Sequence, residues 1–243
     1  MLDFVMVVPT LNEEGYIGEM LKSADRKLSG MFRSYRIVVV DESSRDATTK
    51  IVEQFMEKHK SVALISGRHP GNRGLDVKYG MSRYESRAYF FIDADLEPSL
   101  PYLDNAMRHF RRGCDVVTGS KYANERIAKR PPLRTMVSKS YNLLINIIFN
   151  DRIMDHQCGF KLFSRRAFKI INRVSRERHW VWDTETLLIA RYNGLKVCEI
   201  PILMKERKWS ERTPLKRLIK DMTEFTIGIA KLFYRFRILK EYS

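Results

Sequence analysis

"FFIDADLEP" at residues 90–98 sets three carboxylates behind an apolar run. Phe90, Phe91 and Ile92 read as the end of a buried strand. Asp93, Asp95 and Glu97 follow in period-two alternation, which in an extended chain points all three the same way. Carboxylate oxygens at that spacing suit a hard divalent cation, Mg²⁺ or Mn²⁺, and such a cation can bridge two linked phosphates. The bland alternative is a solvated turn or cap. Glu97, directly before Pro98 and a helical pattern, also fits a helix N-terminus, where the dipole favours acids. Placement after a buried strand separates this Asp-x-Asp from the common kind.

Two further strand ends repeat the situation. "YRIVVVD" closes on Asp41, followed by Glu42-Ser43-Ser44-Arg45-Asp46. Asp41 there can accept hydrogen bonds from a base or a ribose, whereas Ser44 and Asp46 read as caps of the next helix. "VVPTLNEE" places Pro9, Asn12 and Glu13 at the end of the first strand. His156, in "DHQCGF", is a candidate for touching substrate, while His59 and His179 read as surface or packing residues. Trp180 and Trp182 fit either buried aromatics or a sugar or lipid platform. Cys158 reads as a small packing residue rather than a nucleophile.

The elements that must position these groups alternate. Apolar runs at 2–9, 35–41, 61–66, 87–93 and 114–120 predict strands, with helical patterns between them at 17–28, 45–59, 72–85 and 99–111. Continuous Val/Ile/Phe strands separated by helices predict a mostly parallel sheet covered on both faces. In such sheets ligands bind beyond the carboxyl ends of the strands, which is where the acids gather. Later come helices over 133–149, within "RRAFKIINRV" and around 183–193, and a strand at 196–202. From 215 to 239 apolar residues recur at three- and four-residue steps beside Lys216, Arg217, Lys220 and Arg235. That pattern suits an interfacial helix lying in a headgroup layer, or a helix packed on its own domain. The expected division is a main domain over 1–210 and an appended amphipathic helix over 211–243.

The chain of 243 residues carries 44 Lys and Arg against 29 Asp and Glu, a formal charge of +15. The excess is local to residues 121–139 and 205–243, where basic side chains interleave with helix-period apolar ones. Phosphate-bearing substrates and an anionic membrane surface fit that pattern. A nucleic-acid binder would show a reader motif or a solvated basic arm, and neither is seen. Cys114, Cys158 and Cys198 are odd in number and far apart, so neither a disulfide framework nor a zinc-ligand spacing is expected and a reducing, cytosolic setting is the default. No stretch of about 18 uncharged apolar residues exists to span a bilayer.

"VVPTLNEEGYI", "IVVVDESSRDATTKIV", "FFIDADLEP", "VVTGSKYA" and "DHQCGFKLFSR" together resemble the family 2 glycosyltransferases of the GT-A fold, over roughly residues 3–210. Within that family the chain resembles the dolichyl-phosphate hexose synthases, which move glucose or mannose from a nucleotide sugar to a polyprenyl phosphate. The resemblance implies a Rossmann-like, mostly parallel sheet and an inverting transfer assisted by Mg²⁺ or Mn²⁺. It implies that Pro9, Leu11, Glu13, Asp41, Asp93, Ala94, Asp95 and Glu97 bind the nucleotide sugar, with Asp95 and Glu97 holding the metal. Lys121 stands where mannose-transferring relatives have Arg; with Arg134, Lys139 and Arg207 it is a candidate seat for the acceptor phosphate, and Asp95, Lys121 and Arg207 are the expected catalytic residues. Asp41-Glu42-Ser43 departs from the usual Asp-Asp-Gly-Ser. "DHQCGFKLF" with "WVWDTETLL" looks like the glucose-transferring branch. The implied location is peripheral, on the cytoplasmic face of a membrane, with a membrane protein as a possible partner. A rival transferase acting on a glycan hydroxyl would need a carboxylate base, for which Asp183 or Glu185 is available.

Overall fold

A computed structural model describes residues 1–67, 72–123, 128–129, 132–205 and 215–242, excluding the side chains of residues 97, 128–129, 132–134, 204–205 and 215–222. Strand β1 (Leu2–Thr10) leads into α1 (Ile17–Met31), whose Ile17, Met20, Leu21, Ala24 and Leu28 are all buried on one helical face. Then follow β2 (Tyr35–Asp41), α2 (Thr48–Lys58), β3 (Val62–Ser66), α3 (Arg73–Ser82) and β4 (Ser86–Ile92). The predicted helix over 99–111 is instead a 3₁₀ segment, Ala94–Tyr102, followed by α4 (Leu103–Arg111). Pro98 and Pro101 lack the amide hydrogens an α-helix would need there.

The second half contains β5 (Val116–Ser120), β6 (Ala128–Lys129), α5 (Pro132–Phe149), β7 (Phe160–Ser164) and α6 (Arg165–Val174). It continues with α7 (Val181–Tyr192), β8 (Val197–Pro201), β9 (Met204–Lys205) and α8 (Leu215–Phe233), extended by a π-helical stretch, Tyr234–Leu239. Seven strands form one sheet in the order β3-β2-β1-β4-β7-β5-β8, and β6 pairs with β9 separately. Every neighbour in the large sheet is parallel except β7, which runs antiparallel between β4 and β5.

Strand residues alternate between two cores. Phe4, Met6, Val8 and Phe90 pack against α1, α2 and α4. Val5, Val7, Tyr89 and Phe91 pack against α3, α5, α6, α7 and α8. Burial of each such Val, Phe or Leu contributes about 1.5–3 kcal/mol, so both faces drive folding. The chain winds outward from β1 through β2 to β3, then returns to place β4 on the other side of β1. The strand order therefore reverses between β1 and β4, and the crevice outside their carboxyl ends is the topological switch point.

Two observations revise or divide the sequence expectations. Cys114 and Cys198 are joined by a disulfide, with Cα atoms 6.0 Å apart across a separation of 84 residues. The expectation of no disulfide framework failed because β8 pairs with β5, a long-range neighbour relation that cysteine spacing does not encode. The C-terminal helix is both packed and exposed. Ile229, Leu232 and Phe236 enter the second core, and Gly228 approaches so closely that a Cβ would lie 2.4 Å from Val181 Cγ2. Its outer side exposes Ile227, Phe233, Tyr234, Ile238 and Leu239. Helix α5 does the same, burying Tyr141, Ile145 and Phe149 while exposing Met136, Leu143, Leu144 and Ile147. The helices lie side by side, with Tyr141 against Phe225 and Phe149 against Phe236.

Candidate active site

The loops after β1 and β2 are built as one clasp. Asn12 N–H donates to Ser44 Oγ, and Arg45 N–H donates back to Asn12 Oδ1. Glu14 and Asp46 repeat the exchange: Glu14 N–H donates to Asp46 Oδ2 and Ala47 N–H to Glu14 Oε2. Asp41 is buried at the root of this clasp. It accepts from the Ser43 and Ser44 amides at 3.1 and 2.9 Å and from the hydroxyls of Ser44 and Thr10. Ser43 has φ = 75°, a left-handed conformation that favours glycine. The resemblance places glycine at this very position, so the serine keeps the family's turn while accepting backbone strain of about 1–3 kcal/mol.

Across the crevice, Asp93 is held by an unanticipated residue. Arg73, at the start of α3, donates from Nε at 2.8 Å and Nη2 at 2.5 Å to Asp93 Oδ1. Its Nη1 donates at 2.7 Å to Asp183 Oδ2, and Lys161 Nζ reaches Asp183 Oδ1 at 2.9 Å. Lys161, Asp183, Arg73 and Asp93 thus form an alternating chain of charges running from the core to the edge of the sheet. Three of its members are almost fully excluded from solvent; only Asp93 retains appreciable side-chain exposure, 25%. Burial pulls the Arg73 pKa down, but the Asp93 and Asp183 carboxylates more than offset it and raise it. For Asp93, burial raises the pKa to about 6 against the opposing pull of Arg73, and Asp95 and Asp183 push it the same way as burial. Gly159 makes room for the pair: a Cβ there would lie 1.8 Å from Asp93 Oδ2.

Asp95 sits half-buried on the 3₁₀ turn beside Asp93. The two acids together make an all-oxygen donor set. That fits Mg²⁺ or Mn²⁺ and would be a poor site for a soft metal. Glu97, the other expected metal ligand, has a side chain outside the described residues.

The structure distributes the remaining sequence candidates as follows. Pro9 is buried in β1, Leu11 is 44% exposed at the strand end, and the Glu13 amide donates to Thr48 Oγ1. Ala94 is buried in the turn. Lys121 is not an open cationic seat: it is 4% exposed, and its ammonium bonds both oxygens of buried Asp155 at 2.7 Å. Lys139, on α5, is exposed, and its ammonium lies 5.9 Å from the Tyr122 ring, whose centre is 4.8 Å from Lys121 Nζ. The Arg134 side chain and Arg207 lie outside the described residues.

His156 does not face a crevice; it is fully buried, with its ring nitrogens on Asn142 Oδ1 and Asp151 Oδ2. The two tryptophans separate. Trp182 is core, whereas Trp180 is 43% exposed, with Arg73 5.1 Å from its ring centre. Both proposed bases of the hydroxyl-acceptor rival are engaged. Asp183 is saturated by two cations, and Glu185 accepts from two backbone amides and Tyr242.

Arg73 and Lys161 escaped sequence reading because a buried cation within a helical or strand pattern looks like a solvated one. Gly159 carried a usable signal, being a glycine at the mouth of an apolar strand.

Three comparisons relate the chain to known proteins. Residues 5–171 match the model for glycosyl transferase family 2. A dolichyl-phosphate beta-glucosyltransferase of Trichomonas vaginalis, ALG5D, is 28% identical over 96% of this chain and 74% of its own length. The human dolichyl-phosphate beta-glucosyltransferase is 26% identical over 96% and 75%. Glycosyltransferase AglD of Haloferax volcanii is 29% identical over 81% of this chain, which spans only 32% of that larger protein. In fold, the chain matches the glucosyl-3-phosphoglycerate synthase of Mycobacterium tuberculosis, solved with Mn²⁺, UDP and phosphoglyceric acid. The TM-score is 0.74 at 14% identity, covering 96% of this chain and 78% of that one. By the family match across most of its length, the chain belongs to the family 2 glycosyltransferases.

Proposed function

We propose that this glycosyltransferase moves glucose from UDP-glucose to a dolichyl or other polyprenyl phosphate at a membrane surface, with inversion at the anomeric carbon. The observation that carries the reading is the placement of Asp41, Asp93 and Asp95 around the switch point, with Asp93 fixed by Arg73. The names of the dolichyl-phosphate beta-glucosyltransferase relatives support the acceptor, and the UDP and Mn²⁺ of the structural neighbour support the donor and metal.

The chemistry follows from charge. The Asp41 turn, its carboxylate held in place by its own amides, would face the nucleoside, while Arg73 holds Asp93 in one orientation beside the diphosphate. Asp95 and Glu97 would hold Mg²⁺ or Mn²⁺, which supplies positive charge for the departing diphosphate. The acceptor phosphate is already anionic at neutral pH and needs no strong general base. Its oxygen forms the new bond to the anomeric carbon as the bond to the diphosphate breaks. That the two carboxylates nearest the role of base are both engaged supports this reading over a hydroxyl acceptor. Lys139 is the described cation we assign to the acceptor phosphate, with Arg134 and Arg207 as further candidates. Lys121 acts indirectly, holding Asp155 and the β5 end.

No helix among the described residues is long and apolar enough to cross a membrane. The outward apolar stripes of α5 and α8, with Lys139, Lys231, Arg237 and Lys240 exposed on the same elements and the segment that follows, suit a peripheral seat in anionic headgroups. The test is a donor panel of UDP-glucose and GDP-mannose with a short-chain polyprenyl phosphate and Mg²⁺ or Mn²⁺. Glycolipid formed from UDP-glucose supports the proposal. Transfer only to glycan hydroxyls, or only from GDP-mannose, overturns it.

A further inference from the structure

The edge of the sheet opposite the crevice carries a second chemically distinctive cluster. Cys114 lies just before β5, Cys198 lies on β8, and His109 lies in the last turn of α4. One ligand atom from each falls within 4.8 Å of the other two. The three residues converge from three different elements, so the fold rather than a local loop brings them together. Cys114 is 3% exposed, while Cys198 and His109 are half-buried, which leaves a path for a small solute. The His109 imidazole makes no hydrogen bond or ion pair among the described residues, although its backbone carbonyl accepts from the Arg112 and Cys114 amides. A disulfide by itself gives a ring nitrogen in that position nothing to do.

We propose that His109, Cys114 and Cys198 form a zinc site that becomes available when the Cys114–Cys198 disulfide is reduced. Two thiolates and an imidazole are the ligand types that select zinc over the hard cations suited to Asp95. The backbone geometry serves both states. Cα atoms 6.0 Å apart suit a disulfide. Two thiolates about 2.3 Å from a tetrahedral ion stand about 3.8 Å apart, a separation reached by rotating the two side chains. The neighbouring carboxylate, Asp115, is occupied by the Ser164 hydroxyl and the Lys196 amide, so water completes the fourth position.

The conversion balances. A dithiol reductant supplies two electrons and two protons to the S–S bond, giving two protein thiols and its own cyclic disulfide. Zn²⁺ then displaces two protons as both sulfurs bind as thiolates. The site stands apart from the crevice, so its fate is independent of the donor and acceptor proposed above.

The test uses the full chain, reduced with a dithiol and desalted without oxygen, then titrated with Zn²⁺ against a colorimetric chelator. The expected result is one tight equivalent in the reduced protein, absent from the oxidised protein, with two protons released. His109→Ala should weaken binding at least tenfold and Cys198→Ser should abolish it. The comparison of reduced with oxidised wild type needs no substitution, so a variant that fails to fold does not decide the matter. Equal binding in both redox states, binding unchanged by His109→Ala, or no equivalent in folded reduced protein would each overturn the proposal. Loss of the fold on reduction that zinc restores would support it, and loss that zinc leaves unrepaired would overturn it.

Discussion

Replacing Arg73 by leucine removes the cation that joins two carboxylates. Asp183 keeps Lys161, but Asp93 loses its partner altogether. Breaking a buried pair by deleting one member costs about 3–5 kcal/mol, because the other charge stays buried. Asp93 is 25% exposed at its side chain, which returns some hydration and places the expected loss near the lower bound, about 3 kcal/mol. The assay is urea denaturation followed by circular dichroism, read as a shift in midpoint at unchanged slope. The double variant Arg73→Leu/Asp93→Asn separates the pair from mere packing. With the stranded carboxylate gone, part of the loss should return as a coupling energy of about 1–3 kcal/mol. Arg73→Lys should fall between, since one ammonium cannot make the guanidinium's bonds to both acids. An Arg73→Leu protein within about 1 kcal/mol of wild type, or strictly additive variants, would refute the charge chain as the device that fixes Asp93.

Ser43→Gly should raise stability by up to about 1 kcal/mol, the left-handed strain relieved less the glycine's own entropy, without changing nucleotide binding; a thermal melt checks it, and a lower midpoint contradicts the strained turn. Leu143→Glu with Ile147→Glu alters side chains that are 61% and 70% exposed, so the fold should persist. Losing two apolar side chains from the headgroup layer should weaken binding to anionic vesicles by roughly 100-fold in a sedimentation assay, at about 1.5 kcal/mol each; unchanged binding would remove α5 from the membrane seat. Burial raises the Cys158 thiol to about 12, so at pH 8 it remains protonated and native protein should resist alkylation until unfolded. The stability this thiol contributes is present below its ordinary value near 9 and is lost as pH rises through about 12. Rapid labelling of native protein would contradict that environment.

The alternation of β1 to β5 with their helices was legible because each strand is a continuous apolar run, buried on two faces in all but the edge strand β3. β7 was missed because "GFKLFS" is short and contains Lys161, which reads as a solvent-facing position but is wholly buried. Asp41, Asp93 and Asp95 were legible as strand-end acids. Arg73 was not, since its partners lie 20 and 110 residues away and only the β4–β7–α7 packing brings them together. Lys121 was legible as a candidate from its place in "VVTGSKYA", whereas its ion pair with Asp155 is fixed by tertiary contact and was not.

On the proposed mechanism the acids beyond β4 hold a divalent ion on the donor diphosphate. Anomalous diffraction from a crystal grown with Mn²⁺ and UDP-glucose tests it most directly, paired with the Asp95→Ala protein under the same conditions. A manganese peak is expected about 2.1 Å from an Asp95 oxygen and touching the diphosphate, absent from the folded variant, which should also lose transfer. A peak and ligand away from this strand end, or an Asp95→Ala protein that binds both as before, would contradict it.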